Sequence, residues 1–285
     1  MTIVPSSPLL CLPVVVASEP GVPLLAGRFA YAALHGDNMD IFLLELGTRS
    51  IVRLTDNPAN DSMPSWSPDG NKIALVSDRD GAQQIYTMSA DGSEVTKVTS
   101  FSEVPVDPAF SPDGQRIVFS LLKVQGATSA KGDIYSMRAD GSSVQRLTEL
   151  GTMSRYPTWS PDGKRIAFAV ESFRWHIYMV NADGTDLKEL VVFPGADDVS
   201  AGFVTIRGME WSPKGDEIAV GGSFELGFDG ANIFAVNVLS GRVRQLTTRT
   251  EGSLDEDHPS WSPSGDMLAF HARLDERPCF RIYTM

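Results

Sequence analysis

The side chains best equipped for chemistry stand just ahead of a recurring aromatic residue. Three positions before it come Met63, Asp107, Tyr156, Gly208 and His258, and close by stand Asp61, Arg155, Arg207, Glu256 and Asp257. A mixture of carboxylate, guanidinium, phenol and imidazole suits recognition of a polar ligand. Asp61, Asp107, Arg155, Tyr156, Arg207, Asp257 and His258 are therefore the candidate binding residues. The blander account is that they line a water-filled channel and pair among themselves, for example Arg207 with Asp257. No catalytic residue is assigned, because the chain has no Gly-x-Ser-x-Gly nucleophile elbow. His35, His176, His258 and His271 show no paired metal-ligand spacing. Asp255-Glu256-Asp257-His258 could attract a cation, but it lacks the alternation and the glycine of a calcium loop. That run and Asp197-Asp198 read as solvated connections. No metal or cofactor is expected.

Over 285 residues the formal charge is −12, which opposes gripping a nucleic-acid backbone and favours a neutral or basic partner. Apolar residues at 42% and charged residues at 21% fit a folded chain. No run reaches the roughly 18 apolar residues of a membrane-spanning helix, so no direct membrane insertion is expected. The apolar run from Pro8 to Ala17 is short, contains two prolines and has no positive charge before it, which is not the layout of a secretory signal. Two cysteines, Cys11 and Cys279, are too few for a disulfide framework or a thiolate cluster.

The elements that must position these residues are repeated. Trp66-Ser67-Pro68-Asp69-Gly70 recurs from Phe110, Trp159, Trp211 and Trp261, with Lys214 and Ser264 replacing the aspartate in the last two. An isoleucine-aromatic pair recurs six times, as Ile41-Phe42, Ile85-Tyr86, Ile134-Tyr135, Ile177-Tyr178, Ile233-Phe234 and Ile282-Tyr283. Between the two markers runs a short β-rich stretch such as Ile73 to Val76. After the second come a turn such as Ala90-Asp91-Gly92 and a run ending in Leu54-Thr55, Val98-Thr99, Leu147-Thr148 or Leu246-Thr247. Each unit thus supplies four short strands, the composition of a propeller blade. Ser-Pro-Asp-Gly is tight-turn chemistry, with proline presetting φ and glycine free to take φ > 0. The preceding Trp or Phe is large enough to fill the wedge between neighbouring blades.

The string from Trp159 to Phe168, followed by Ile-Tyr and Ala-Asp-Gly, resembles the propeller repeat of the TolB family, and the resemblance covers roughly residues 20 to 285. It implies a six-bladed β-propeller. It also implies a periplasmic or extracellular setting and a protein partner. Related repeats occur in the propellers of prolyl-oligopeptidase-like and tricorn-like proteases. The family carries a smaller N-terminal α/β domain for which this chain has no room, so its envelope partners are not carried over.

The expected fold is all-β: a single six-bladed propeller domain over 1–285. Residues 1–18 form a closing strand, and the blades span roughly 20–57, 61–100, 106–149, 155–192, 204–248 and 257–285. The run Leu9 to Val16 is expected to complete the last blade as its outer strand, removing a sheet edge. Cys11 and Cys279 then lie on adjacent strands, and two separate thiols are the expectation there. Short turns gather on one face of the disc. Longer segments, Leu121 to Gly132 among them, gather on the other, where binding is expected. The leading reading is a monomeric, non-catalytic protein- or peptide-binding scaffold using that face and the channel mouth. The alternative is a propeller-type hydrolase or lyase with a cation-dependent site at the mouth. A third is a piece of a longer protein.

Overall fold

The computed structural model describes residues 15–17, 27–125, 129–171, 175–192, 205–223, 232–247, 253–274 and 280–285. Its elements are all strands. β1 (Val15–Ala17) is followed by a first sheet of β2 (Arg28–His35), β3 (Asn38–Glu45) and β4 (Ser50–Arg53). The second comprises β5 (Asp61–Trp66), β6 (Lys72–Ser77), β7 (Gln84–Ser89) and β8 (Thr96–Lys97). A third group is β9 (Val104–Phe110), β10 (Arg116–Gln125), β11 (Ser129–Arg138) and β12 (Gln145–Arg146). A fourth is β13 (Met153–Trp159), β14 (Arg165–Glu171), β15 (Trp175–Asn181) and β16 (Lys188–Val192). One parallel bridge, Gly132 to Met153, joins these two groups into a single sheet. The fifth group is β17 (Thr205–Trp211), β18 (Glu217–Ser223), β19 (Asn232–Asn237) and β20 (Val243–Gln245). The sixth is β21 (Ser253–Trp261), β22 (Leu268–Leu274) and β23 (Phe280–Thr284), with β1 parallel along its outer edge.

The isoleucine-aromatic pair explains how the groups stack. Successive side chains on a strand point to opposite faces, so one dipeptide serves two seams. Ile41 packs with Ile73 and Leu75 of the next sheet, and Ile134 packs with Trp159, Ile166 and Phe168 of the group after it. The aromatic partner faces the other way: Tyr86 lies against Ile41, and Tyr178 packs onto the cluster holding Val118 and Ile134. The second strands alternate likewise. Ile166 and Phe168 face the third group, whereas Ala167 and Ala169 face the fifth. At the seam between the fourth and fifth groups Ala167 and Ala169 meet larger residues such as Ile206 and Ile218, and Phe119 and Phe168 have no exposed surface. Phe42 of the first sheet belongs to a cluster against which Ala269 of the sixth packs.

The first sheet departs from the repeat. Its middle strand, β3, carries Ile41-Phe42, so β2, β3 and β4 occupy the second, third and fourth strand positions of the other units. Val22 to Ala26, where an innermost strand would lie, falls outside the described residues, as do Leu9 to Val14 of the closing run, Cys11 and Cys279. The segment Leu121 to Gly132, expected as one of the longer connections, mostly extends the β10–β11 hairpin, whose register runs to Gln125 opposite Ser129. Leu121 and Leu122 are buried there, and that burial keeps the ribbon extended. Most of the other long connections lie outside the described residues.

Candidate functional site

Five innermost strands pack in succession, β5 on β9, β9 on β13, β13 on β17 and β17 on β21. Each carries a one-residue bulge where its pairing to the second strand slips: at Ser62/Ser65, opposite Val118/Ser120, and at Arg155/Thr158, Ile206/Gly208 and Asp257/Ser260. A bulge breaks the alternation and re-aims a side chain. In four of the five the bulged residue is left-handed: Met63 at φ 53°, Asp107 at 54°, Tyr156 at 56° and His258 at 48°. Proline follows each of these four, and Met209 follows the fifth position, Gly208. Non-glycine residues held at positive φ are strained and cluster where structure serves function.

These residues join into a collar. The Asp107 N–H donates to Met63 Sδ at 3.4 Å, and the Tyr156 N–H donates to Asp107 Oδ2 at 3.1 Å. The second and third bulges are thereby each bonded to the side chain of the one before. At the fifth position the packing is too close for a side chain, since a Cβ on Gly208 would lie 2.9 Å from the His258 Cα. Arg155 stands behind the collar. Its Nε and Nη2 both donate to the Asp107 carboxylate, the latter at 3.1 Å, while the guanidinium lies 4.7 Å from the centre of the Tyr156 ring. The Asp107 and Arg155 side chains are only 9% and 17% exposed. His258 is exposed and Tyr156 half-buried.

The other candidates fare differently. Asp61 is fully enclosed, accepting from Asn57 Nδ2 at 2.7 Å and from Arg79 Nη2 at 2.9 Å. It therefore ties the β6–β7 connection and the link into β5 to its own strand, and its side chain is fully buried. Arg207 is the inserted residue of the β17 bulge and is half-buried. Asp257 pairs through its backbone with His271, and its side chain lies outside the described residues. The structure thus brings Asp107, Arg155 and Tyr156 into direct contact and separates Asp61 from them. Among the described residues, no cluster of three or more His, Cys, Asp or Glu side chains forms a metal site.

Two features escaped the sequence reading. The residue before the aromatic marker clips neighbouring groups: Thr158 Oγ1 accepts from the Trp211 N–H at 3.0 Å, and Glu210 Oε2 accepts from the Trp261 N–H at 3.0 Å. Within a sheet, the threonine two residues past the fourth strand accepts from the marker isoleucine, as Thr55 does from Ile41 and Thr99 from Ile85. The recurring X-Pro and Leu-Thr dipeptides were the available signals for the collar and the second clip.

Twisted sheets packed face to face through alternating side chains, with inner strands opening on a bulged collar, define a β-propeller. The profile of the TolB beta propeller domain matches residues 26–104 and 95–285. The chain belongs to the TolB β-propeller family. It is 38% identical over 73 residues to the Tol-Pal system protein TolB of Francisella tularensis subsp. mediasiatica, covering 26% of this chain and 16% of that protein. It is 36% identical over 88 residues to the uncharacterized peptidase YuxL of Bacillus subtilis, covering 30% of this chain and 13% of the peptidase. The matched stretches therefore span less than a fifth of either relative. The fold resembles the structure of a putative TolB from Agrobacterium tumefaciens, with TM-score 0.69 and 22% identity over 90% of this chain and 85% of that one.

Proposed function

We propose that this chain is a non-catalytic scaffold that docks a protein or peptide at the channel mouth, through Asp107, Arg155, Tyr156, Arg207, Asp257 and His258. The observation that carries the reading is the collar, in which strained bulges hold Met63, Asp107, Tyr156 and His258 at one rim. A rigid rim of mixed aromatic and charged groups suits hot-spot contacts, where Tyr and Arg are enriched. The net charge of −12 favours a basic or neutral partner. The TolB relative is a Tol-Pal system protein, which supports a protein partner.

Selection of binding peptides against the whole chain, counter-selected with Tyr156→Ala and His258→Ala, tests this. Binders should be lost with both variants. Binders indifferent to both would sink the proposal. A thermal-shift series with calcium, manganese and zinc separates the alternative, since an ion at a catalytic mouth stabilises the folded chain by mass action.

A further inference from the structure

The second and third strands of each unit rise past the marker isoleucine to different heights. In the second sheet the ladder stops one pair beyond Ile85, at Ser77 opposite Gln84. In the first sheet it runs three pairs beyond Ile41, to His35 opposite Asn38. In the third group it runs five pairs beyond Ile134, to Gln125 opposite Ser129. The second sheet is therefore a low layer between two taller ones. Its β6–β7 connection folds down on its own sheet: the Arg79 guanidinium donates to Asp61 and Ser77, and Asp80 accepts from the Tyr86 hydroxyl. A Cβ on Gly81 would meet nothing within 4 Å. A cleft one sheet layer thick, about 10 Å, is left above the connection.

Strand parity decides which side chains look into it. Ala30 and Ala32 pack on the seam cluster of Ile73 and Leu75, so Leu34, two further along β2, and its cross-strand partner Met39 turn the same way. On the other side Phe119 and Leu121 pack with Ala74 and Val76, so Lys123 and its cross-strand partner Lys131 also turn toward the second sheet. One wall is thus apolar and the other basic. Leu34 is 66% exposed and the Lys123 side chain 61%. Two lysines directly opposite each other repel and weaken the ribbon that carries them. Lys123 has Glu103 at 3.8 Å, and among the described residues Lys131 has no ion pair. An uncompensated basic pair is a local exception in a chain of net charge −12.

We propose that this cleft docks an amphipathic helix of a partner protein, its apolar side against Leu34 and Met39 and its carboxylates against Lys123 and Lys131. A helix with its side chains is about 10–12 Å across and fills the missing layer. The walls are ribbon faces whose backbone groups are paired within the ribbon. They offer no ladder to an added strand, whereas a helix satisfies its own backbone. The cleft lies over the second sheet and includes none of the collar residues, so this docking stands apart from the channel-mouth reading.

The probe is a blocked, fluorescein-labelled peptide of about four helical turns, with leucines at i, i+3, i+4 and i+7 and glutamates on the other side. It is titrated against the full chain by fluorescence anisotropy. Its dissociation constant should be on the order of 100 µM. The counterpart with glutamine in place of glutamate should bind about fivefold more weakly. Lys131→Glu is the decisive variant. It sets a carboxylate opposite Lys123, which keeps or raises the melting temperature, yet it should weaken binding about tenfold. Leu34→Ser should weaken it about tenfold as well. Lys164→Glu, the same charge change on the turn face, should leave binding unaltered. No binding by about 1 mM, equal affinity of the glutamine peptide, or equal loss in Lys164→Glu would overturn the proposal. A loss confined to Tyr156→Ala would place the peptide at the collar and overturn it too. If Leu34→Ser fails to fold by circular dichroism, Lys131→Glu alone decides.

Discussion

The Trp261 backbone N–H donates to the Glu210 carboxylate at 3.0 Å, so an ionisable group holds the seam between the fifth and sixth groups. One seam earlier, the neutral Thr158 hydroxyl does the same for Trp211. Desolvation pushes Glu210 from 4.5 up to about 7, against the opposing pull of its bonds from Ser260 and Trp261. A raised folded value contributes stability that is full below 4.5 and lost as the pH climbs through about 7. Glu210→Gln keeps an acceptor and cannot ionise. Its advantage in melting temperature over the parent should be larger at pH 8 than at pH 5, the two offsets differing by roughly 2–4 °C. The same offset at both pH values would refute the assignment.

The turn aspartates act in the opposite direction. Asp69, Asp113 and Asp162 are held below the ordinary value of 3.8, first by the Ser67, Ser111 and Ser160 hydroxyls. Asp91, Asp140 and Asp183 are held below it by Ser93, Ser142 and Thr185. A depressed folded value contributes stability present above 3.8 and lost as the pH falls through the folded value. Melting curves should therefore show a fall that begins below about pH 4. Ser67→Ala combined with Ser111→Ala and Ser160→Ala should flatten that fall; an unchanged acid limb would contradict it.

Asp107→Ala should strand Arg155 in a nearly closed pocket and remove the acceptor of the Tyr156 N–H. Breaking an enclosed pair of this kind costs about 3 kcal/mol. Urea unfolding measures it, and a double-mutant cycle with Arg155→Met isolates the pair. A coupling below about 0.5 kcal/mol would mean that water already screens the contact.

Gly208→Ala tests the closeness of the collar. The new methyl would meet the His258 Cα at 2.9 Å and its backbone nitrogen at 3.2 Å, and neither is a flexible side-chain end. Overpacking of this sort costs about 1–3 kcal/mol. Unaltered stability would show that β17 and β21 separate easily.

Phe168→Ala should be the most damaging, because the ring is wholly enclosed between the third and fourth groups. Truncation of a buried phenylalanine costs about 3–5 kcal/mol. A loss under 1 kcal/mol in urea would mean that the seam collapses onto the cavity.

The stacking was legible because it is local. Ile134-Tyr135 states in two adjacent letters which faces are covered, and Ser160-Pro161-Asp162-Gly163 states where the strand reverses. The collar was half legible: the offset from the aromatic marker located Asp107, Tyr156 and His258. What the offset could not tell was which side chains are already engaged. Asp61 is enclosed by Arg79, eighteen positions away, and Asp107 is captured by Arg155, forty-eight positions away. Such pairs form only when strands of one sheet or of neighbouring groups are brought side by side. Glu210 reads as an ordinary surface acid until the Trp261 strand is laid against it.

The isoleucine-aromatic pair has a consequence for how such chains arise. Because adjacent letters of one strand address the two neighbours separately, a unit accepts any neighbour built to the same rule and holds no record of its own rank. Duplicating or excising a middle unit in the gene would leave the core faces with compatible mates, while bonds particular to one seam, such as Trp261 to Glu210, would be lost or reset. The angle from one unit to the next is where the bulk of Phe168 against alanines such as Ala74, Ala167 and Ala219 would be felt.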